Sequence, residues 1–308
     1  MKFAKICFAK QYENRHVYSV YDRLPALMRR FYYLNIYKRQ YTRFSLLSAE
    51  AVAARLPFEK GEADFELAER YISKTVEDLK GMGAEVFSVQ DGIGLPYGIN
   101  ISDGAGLLCA EAERIAGMAC KARGLGLDEA DIAIRDGGND LTCILLYALS
   151  KKASKLWLYT LRADKLKPVL SEIFERTGLC VGTFSAENSP FMAKADIIIN
   201  LNKGGGVINC FAKNSVYIDM VKDRKNTNRL YRLRKDMCVV RGFRLKVGER
   251  NISPEDAQAA LFVINPAFRE MISDGFTFNR FERAGKFLGS LGIDIESGFN
   301  FTGGEVKS

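Results

Sequence analysis

Short apolar runs alternate with helical patterns along the middle of the chain, from Asp131 to Leu201. Four runs in this stretch predict β-strands, and two more runs follow it. The six predicted strands begin near residues 131, 156, 179, 195, 215 and 237. Strands separated by helices are typical of βαβ units, whose strands lie parallel in one sheet. The pattern therefore predicts an α/β fold with a doubly wound, mainly parallel sheet.

The flanking segments predict further elements and a division into domains. Strands are expected at Lys2–Phe8 and Ala84–Gln90. Three helices are expected: one that is capped by Ser48 and ends near Arg55, an amphipathic one at Glu62–Met82, and one from about 106 to 123 that is capped by Asp103. Residues 255–291 predict two or three helices broken near Pro266 and Gly275, and the tail from Ser297 is expected to be loose. We expect a smaller N-terminal α/β domain at 1–102, the doubly wound domain at 103–250, and C-terminal helices at 251–308 that pack back on the N-terminal domain.

A glycine-containing turn lies between the first central strand and its helix. The turn reads Asp136-Gly137-Gly138-Asn139-Asp140 and follows the run Asp131–Arg135. In parallel sheets such a turn meets the N-terminus of the next helix, where free backbone N–H groups hold phosphate. Alternatively, the two glycines only make the turn and bind no ligand. The sequence therefore predicts a small-molecule ligand in the crevice of the sheet.

Three short segments in the block from Asp131 to Phe243 follow predicted strands or close one. They are Arg135–Asp140, Thr160-Leu161-Arg162 and Ala195-Asp196-Ile197-Ile198-Ile199-Asn200. In these segments the block resembles the NAD(P)-binding Rossmann domain of the shikimate dehydrogenase and glutamyl-tRNA reductase group, over about a third of the chain. The first segment stands where that group has a Gly-Ala-Gly-Gly-type turn, the second where it has an Asn-Arg-Thr-type turn, and the third matches the end of the fourth strand best. The glycine turn is thus a degenerate form of the family's motif.

The resemblance implies a cofactor and the residues that would bind it. Gly137, Gly138 and Asn139 would line the phosphates, and Asn200 to Gly204 would lie along the nicotinamide edge. The second strand lacks the terminal acidic residue that binds the ribose of NAD, whereas Arg162 suits a 2′-phosphate, so NADP is the expected cofactor. These implications point to an NADP-dependent oxidoreductase of unknown substrate. The family's catalytic lysine and aspartate have no counterparts that we can place here.

Asp140 departs from the family pattern at the start of the helix. A carboxylate there is expected to accept the free N–H groups that a diphosphate would use, and to repel the phosphate. Asp136 adds to the repulsion, and Arg135 offsets part of it. A methyltransferase is a weaker alternative, because a third glycine and an acidic residue after the second strand are missing. Gly204-Gly205-Gly206 permits close approach of a ligand and equally makes a turn.

The positive charge of the chain is concentrated in two segments. Residues 1–44 contain ten Lys and Arg against two acidic residues, and residues 222–250 contain eleven against three, so each segment carries +8 while the whole chain also carries +8. The remainder is therefore acidic. The alternative to an oxidoreductase is a non-catalytic Rossmann-like protein that binds an anionic ligand or partner, nucleic acid among them, through these segments. The aromatic residues between 12 and 44 suit base stacking or a domain core.

Cysteine and histidine usage argues against several classes of site. The seven cysteines are scattered singly and His16 is the only histidine, so disulfides, structural zinc and a histidine-dependent triad are not expected. No run of 18 apolar residues predicts a membrane span, and the first ten residues do not resemble a signal peptide. We therefore expect a cytoplasmic protein with no metal site.

Overall fold

The computed structural model describes residues 1–8, 25, 28, 31, 39–58, 65–90, 93–186, 190–204, 210–300 and 305–307. The chain divides into two compact units. The first contains residues 1–103 and 255–266, and the second contains residues 104–254 and 267–308. Of the C-terminal segment 251–308, only residues 255–266 group with the N-terminal unit.

The first unit is built on a five-stranded sheet. Its elements are β1 (Lys2–Cys7), β2 (Tyr41–Leu46), β3 (Ala49–Arg55), α1 (Phe65–Gly81), β4 (Ala84–Val89) and β5 (Ile101–Ser102). The strands lie in the order β2-β3-β1-β4-β5, with β2 antiparallel and the others parallel. The core contains Leu67, Tyr71, Ile72, Val76 and Leu79 of α1, which confirms the predicted amphipathic helix. The helix Pro254–Ile264 also belongs to this unit. The carboxylate of its Asp256 accepts a hydrogen bond from Ser88 Oγ at 2.5 Å and forms an ion pair with Lys5.

The predicted helix from Ser48 to Arg55 is wrong. Ala49–Arg55 is the strand β3, which pairs with β2 in antiparallel register and with β1 in parallel register. Leu47 and Ser48 form the two-residue turn of the β2–β3 hairpin, with φ of 51° and 69°. Because β3 is buried on both faces, its alanines show no alternation from which a strand could be recognised.

The second unit contains a sheet of nine strands. These are β6 (Asp131–Arg135), β7 (Lys155–Tyr159), β8 (Gly182–Phe184), β9 (Ile197–Asn200), β10 (Val216–Asp219), β11 (Cys238–Val247), β12 (Arg250–Ile252), β13 (Ile293–Asn300) and β14 (Glu305–Lys307). The first six lie parallel in the order β8-β7-β6-β9-β10-β11. Numbered along the chain this is 3-2-1-4-5-6, the order of a full dinucleotide-binding sheet. The predicted doubly wound, mainly parallel α/β fold is therefore confirmed.

The helices of the second unit largely follow the predicted pattern. They are α2 (Ala105–Ala110), α3 (Ala112–Ala122), α4 (Leu141–Ser150), α5 (Ala163–Thr177), α6 (Pro190–Lys194), α7 (Arg224–Leu233), α9 (Pro266–Ser273) and α10 (Phe278–Ser290). The label α8 is given to the helix Pro254–Ile264, which was described with the first unit. The helix expected from 106 to 123 is two helices that meet at Glu111, and Gly104 rather than Asp103 precedes the first. The tail from Ser297 is not loose where it is described, because β13 pairs with β11 and β14 pairs with β13.

None of the described helices is both long and apolar enough to cross a membrane. All seven cysteines are free thiols. Within the described ranges, no group of three or more His, Cys, Asp or Glu side chains is placed to hold a metal ion.

Candidate functional site

The order of the parallel strands reverses between β6 and β9, where crossovers to opposite sides leave a crevice at the carboxyl edge. Arg135, the last residue of β6, is paired in register with Tyr159 of β7 and Asn200 of β9. The residues that follow these strands, Asp136 and Leu201 among them, therefore lie side by side. This edge is the expected ligand site of such a sheet.

The turn after β6 requires both of its glycines. A Cβ on Gly137 would lie 2.6 Å from the carbonyl oxygen of Leu201, so only glycine permits this approach of two backbone segments. Gly138 has φ of 76°, a left-handed conformation that side chains rarely adopt. The backbone of the turn is thus held close to the end of β9.

The Asp136 carboxylate is the centre of the turn. Its Oδ1 accepts hydrogen bonds from Gly138 N at 2.9 Å, Thr142 Oγ1 at 2.6 Å and Arg162 Nη2 at 3.0 Å. Its Oδ2 accepts from Thr160 Oγ1 at 2.6 Å and Arg162 Nε at 2.8 Å. Burial alone would raise the pKa of Asp136, but the bonds from Arg162, the two threonines and Gly138 outweigh it and lower the pKa to about 2. Asp136 is therefore an ionised carboxylate with both oxygens fully used.

Arg162, the residue predicted for a 2′-phosphate, lies three residues after β7, immediately before α5, and forms the cationic half of this pair. Beyond its two bonds to Asp136, its Nη2 donates to Asn139 O at 2.6 Å. The third guanidinium nitrogen, Nη1, has no protein partner among the described residues. Asp136 raises the pKa of Arg162 further, so the guanidinium is a permanent cation at the edge of the turn.

The expected cap by Asp140 is wrong. Asp140 has helical backbone angles, φ −71° and ψ −13°, whereas a side chain that caps a helix start needs an extended backbone. Its Oδ2 instead accepts from Phe276 N at 3.2 Å, and Asn139 Oδ1 accepts from Leu141 N at 3.2 Å. Two N–H groups at the helix start, those of Asn139 and Asp140, have no acceptor within the described part of the chain.

A second polar network follows β9. Asn200 is fully buried; its Oδ1 accepts from Arg135 Nη1 at 3.0 Å, and its Nδ2 donates to Asn202 O at 2.9 Å and to Asp219 Oδ1 at 3.4 Å. Gly204 is exposed, and its N–H donates to Asn202 Oδ1 at 2.6 Å. Gly205 and Gly206, the other two glycines of the run that the sequence predicts to approach a ligand or to make a turn, lie outside the described residues. The predicted residues thus form two clusters, one around Asp136 and one around Asn200.

The sequence reasoning missed the polar groups at the end of β10. Burial raises the pKa of Asp219 to about 6, although Val221 N–H and Asn200 hydrogen-bond its carboxylate. Tyr217 is buried beside it, and its hydroxyl oxygen accepts from Asn226 Nδ2 at 3.1 Å. The available signal was an aspartate that ends the apolar run Val216–Asp219 at the expected ligand edge.

The second basic segment contains an exposed cationic helix face. Lys225, Arg229 and Arg232 of α7 recur at steps of four and three residues, so they lie on one face. All three are exposed, and none forms an ion pair among the described residues. Arg234 differs, because its guanidinium bonds both carboxylate oxygens of Asp236. Most of the first basic segment, 1–44, lies outside the described residues.

Comparison with known proteins gives only remote likenesses. No protein-family model and no curated protein matches the chain. Quinate dehydrogenase from Corynebacterium glutamicum in complex with NAD is 11% identical over 94% of this chain and 99% of its own, with a TM-score of 0.36. L-Tryptophan dehydrogenase from Nostoc punctiforme is 13% identical over 94% of this chain and 80% of its own, with a TM-score of 0.33.

A third solved structure matches over a shorter stretch. The Δ1-pyrroline-2-carboxylate reductase from Thermococcus litoralis, in complex with NADH and L-proline, is 15% identical over 38% of this chain, with a TM-score of 0.30. The match covers 36% of the reductase, so the chain spans about a third of that protein. At these TM-scores the likenesses carry no argument about function, and the fold rests on the observed strand order.

Proposed function

We propose that the protein binds a nicotinamide dinucleotide at the carboxyl edge of its nine-stranded sheet, and that NADP(H) is preferred. The observation that carries the proposal is the strand order 3-2-1-4-5-6 with a Gly-Gly turn at the end of the first strand of that order. Phosphates would accept from the free N–H groups of Asn139 and Asp140, in the turn that Gly137 and Gly138 shape. Asn200 and Gly204 would lie toward the nicotinamide. When bound, the cofactor would supply hydride chemistry to a substrate of unknown structure.

The preference for NADP(H) is supported by Arg162. The guanidinium follows the end of β7, the position that faces the adenosine ribose in this type of sheet. Its Nη1 remains available after the pair with Asp136 is formed, and its charge attracts a 2′-phosphate. Asp136 cannot replace the acidic residue that binds the ribose of NAD, because five donors already use its two oxygens. Asp136 also partly offsets the attraction by Arg162, so weak binding is expected.

Titration with NADPH and NADH tests the proposal. Trp157 is the single tryptophan, lies in β7, and can report binding through energy transfer to the reduced nicotinamide. We expect saturable quenching by NADPH and about tenfold weaker binding of NADH, which corresponds to about 1.4 kcal/mol. Absence of saturable quenching by either cofactor at millimolar concentration contradicts the proposal.

Two variants separate the roles within the turn. Arg162→Gln is expected to abolish the preference for NADPH. Arg176→Gln, at an arginine near the other end of α5 that pairs with Glu172 and Glu282, is expected to leave it unchanged. Asp136→Asn is expected to strengthen binding, because it removes a negative charge beside the phosphates and releases Arg162. Weaker binding by Asp136→Asn would indicate that the carboxylate is needed to shape the turn.

A second candidate function is binding of an anionic partner without catalysis. The exposed, unpaired cations on α7 favour it, because lysine and arginine without carboxylate partners are available to phosphates. In this case the hydrogen bonds to the Asp136 carboxylate would serve only to hold the turn in place. The salt dependence of RNA binding, compared between the unaltered chain and a variant without the cations of α7, tests this candidate.

A further inference from the structure

A separate cleft opens in the second unit, away from the turn after β6. It has a volume of about 340 Å³ and lies between the junction of α2 and α3, the end of α4, helix α10 and the start of β13. Helix α4 begins at the turn and ends at Ser150, next to the cleft, so its ten residues separate the two sites by about 15 Å. The volume is at the lower end of the range for small-molecule sites.

Glycines on α10 keep the cleft open. Gly285 and Gly289 line it together with Ala284 and Leu288, and a Cβ on either glycine would meet no atom within 4 Å. A glycine in the middle of a helix costs about 1 kcal/mol relative to alanine. Neither glycine is needed for close packing here, since both face empty space. The apolar part of the lining continues to Ile293, which is buried.

The acidic groups of the cleft already have cationic partners. Arg114 bonds Asp294 Oδ1 at 2.6 Å and Glu111 Oε2 at 3.2 Å, and Glu113 pairs with Lys152 at 2.8 Å. Burial raises the pKa of Glu111. The three carboxylates share two cationic partners, Arg114 and Lys152, so together these five groups carry at most one net negative charge.

Lys151 supplies the one lining cation that has no carboxylate partner among the described residues. Its Nζ lies 5.1 Å from the ring centroid of Phe281 and 5.2 Å from that of Tyr147. Ring faces hold an ammonium in place without neutralising it. The cleft therefore combines an apolar wall with one positioned positive charge.

We propose that this cleft binds a small organic anion, with its acidic group at the Lys151 ammonium and its apolar body against Ala284, Gly285 and Leu288 of α10. Clefts that combine an apolar surface with a few placed polar groups are typical of small-molecule sites, and about a third of the residues lining this cleft are charged. The site is distinct from the proposed dinucleotide site, and the inference stands whether or not a dinucleotide binds.

Anilinonaphthalene sulfonate, an apolar anion whose emission rises on binding, is the probe. We expect saturable binding to the full chain that NADPH does not displace. Gly285→Leu fills the cleft and raises helix propensity, so the variant should remain folded while its affinity falls at least tenfold. Lys151→Gln should lower the affinity about tenfold, and Lys121→Gln, an exposed lysine of α3 outside the cleft, should leave it unchanged.

Urea unfolding followed by Trp157 emission checks that each variant is folded. Equal probe binding by Gly285→Leu and the unaltered chain overturns the proposal, as does displacement of the probe by NADPH. Loss of binding in Gly285→Leu without any effect of Lys151→Gln overturns the assignment of an anion and leaves an apolar cleft only.

Discussion

Asp136 is expected to stabilise the fold above pH 4. Its pKa in the folded chain, about 2, is below the ordinary value of 3.8, so the stabilisation is complete above 3.8 and is lost as pH falls through 2. The shift corresponds to about 2 kcal/mol. Asp136→Asn should therefore lower the free energy of unfolding by about this amount at pH 7 and by little near pH 2.

Urea unfolding at a series of pH values, followed by the emission of Trp157, measures this difference. Asp164→Asn is the control, since Asp164 is exposed on α5 and bonds only Lys167. A difference between Asp136→Asn and the unaltered chain that stays constant from pH 7 to pH 2 would show that lost packing, not lost charge, causes the effect.

Asp219 is expected to have the opposite dependence on pH. Its pKa in the folded chain, about 6, is above 3.8, so ionising the buried carboxyl costs stability as pH rises through 6. Asp219→Asn should raise the free energy of unfolding by about 3 kcal/mol at pH 8 and change it little at pH 4. The same urea series tests this, and a variant that is less stable than the unaltered chain at pH 8 refutes it.

The sequence predicted the position of the glycine turn but not the contacts of the carboxylates in it. The apolar strands and Gly137-Gly138 located the turn, because burial and backbone conformation restrict the residues that fit there. The sequence does not show which aspartate forms the hydrogen bonds of the turn, because these bonds join residues that are distant in the chain. Asp136 contacts Thr160 and Arg162 only after β6 and β7 have paired. The backbone angles of Asp140, which prevent it from capping α4, were likewise not visible in the sequence.

At the scale of elements, the β2–β3 hairpin has an unfavourable turn that a substitution should improve. Ser48 has φ of 69°, a left-handed conformation that costs a residue other than glycine roughly 1 kcal/mol. Ser48→Gly should therefore raise the free energy of unfolding by about 1 kcal/mol, measured by circular dichroism in urea. Ser290→Gly, at the end of α10, should lower it instead. A destabilising effect of Ser48→Gly would contradict the observed turn.

The same hairpin shows where prediction of elements failed. Paired parallel strands such as β6 and β9 are runs of Ile, Leu and Ala that end at polar turns, and all six were found from this pattern. Ala49–Arg55 has the composition of a helix and follows a serine that suits a helix cap, so local preference pointed the wrong way. Pairing with β1 and β2 overrides that preference, and no local signal such as Asn-Gly marks the turn.

At the scale of the whole molecule, the segment 222–250 carries +8, as much as the net charge of the entire chain. If its exposed cations bind nucleic acid, affinity must fall with salt, because each contacted phosphate releases counterions. Replacing Lys225, Arg229 and Arg232 together with glutamine should reduce the slope of log K against log salt by about 2 for single-stranded RNA. Fluorescence anisotropy with a labelled RNA measures the slope.

The matched control replaces Lys121, Lys155 and Lys167, which changes the net charge equally but lies outside α7. If the cations of α7 contact the phosphates, only the α7 variant should show a smaller slope. Both variants lower the net charge of the chain by three, so an effect of net charge alone would be the same in both. Equal slopes in the two variants would assign the attraction to net charge alone. No binding by the unaltered chain at low salt would remove nucleic acid as the partner and leave the carboxyl edge of the sheet as the place to look for function.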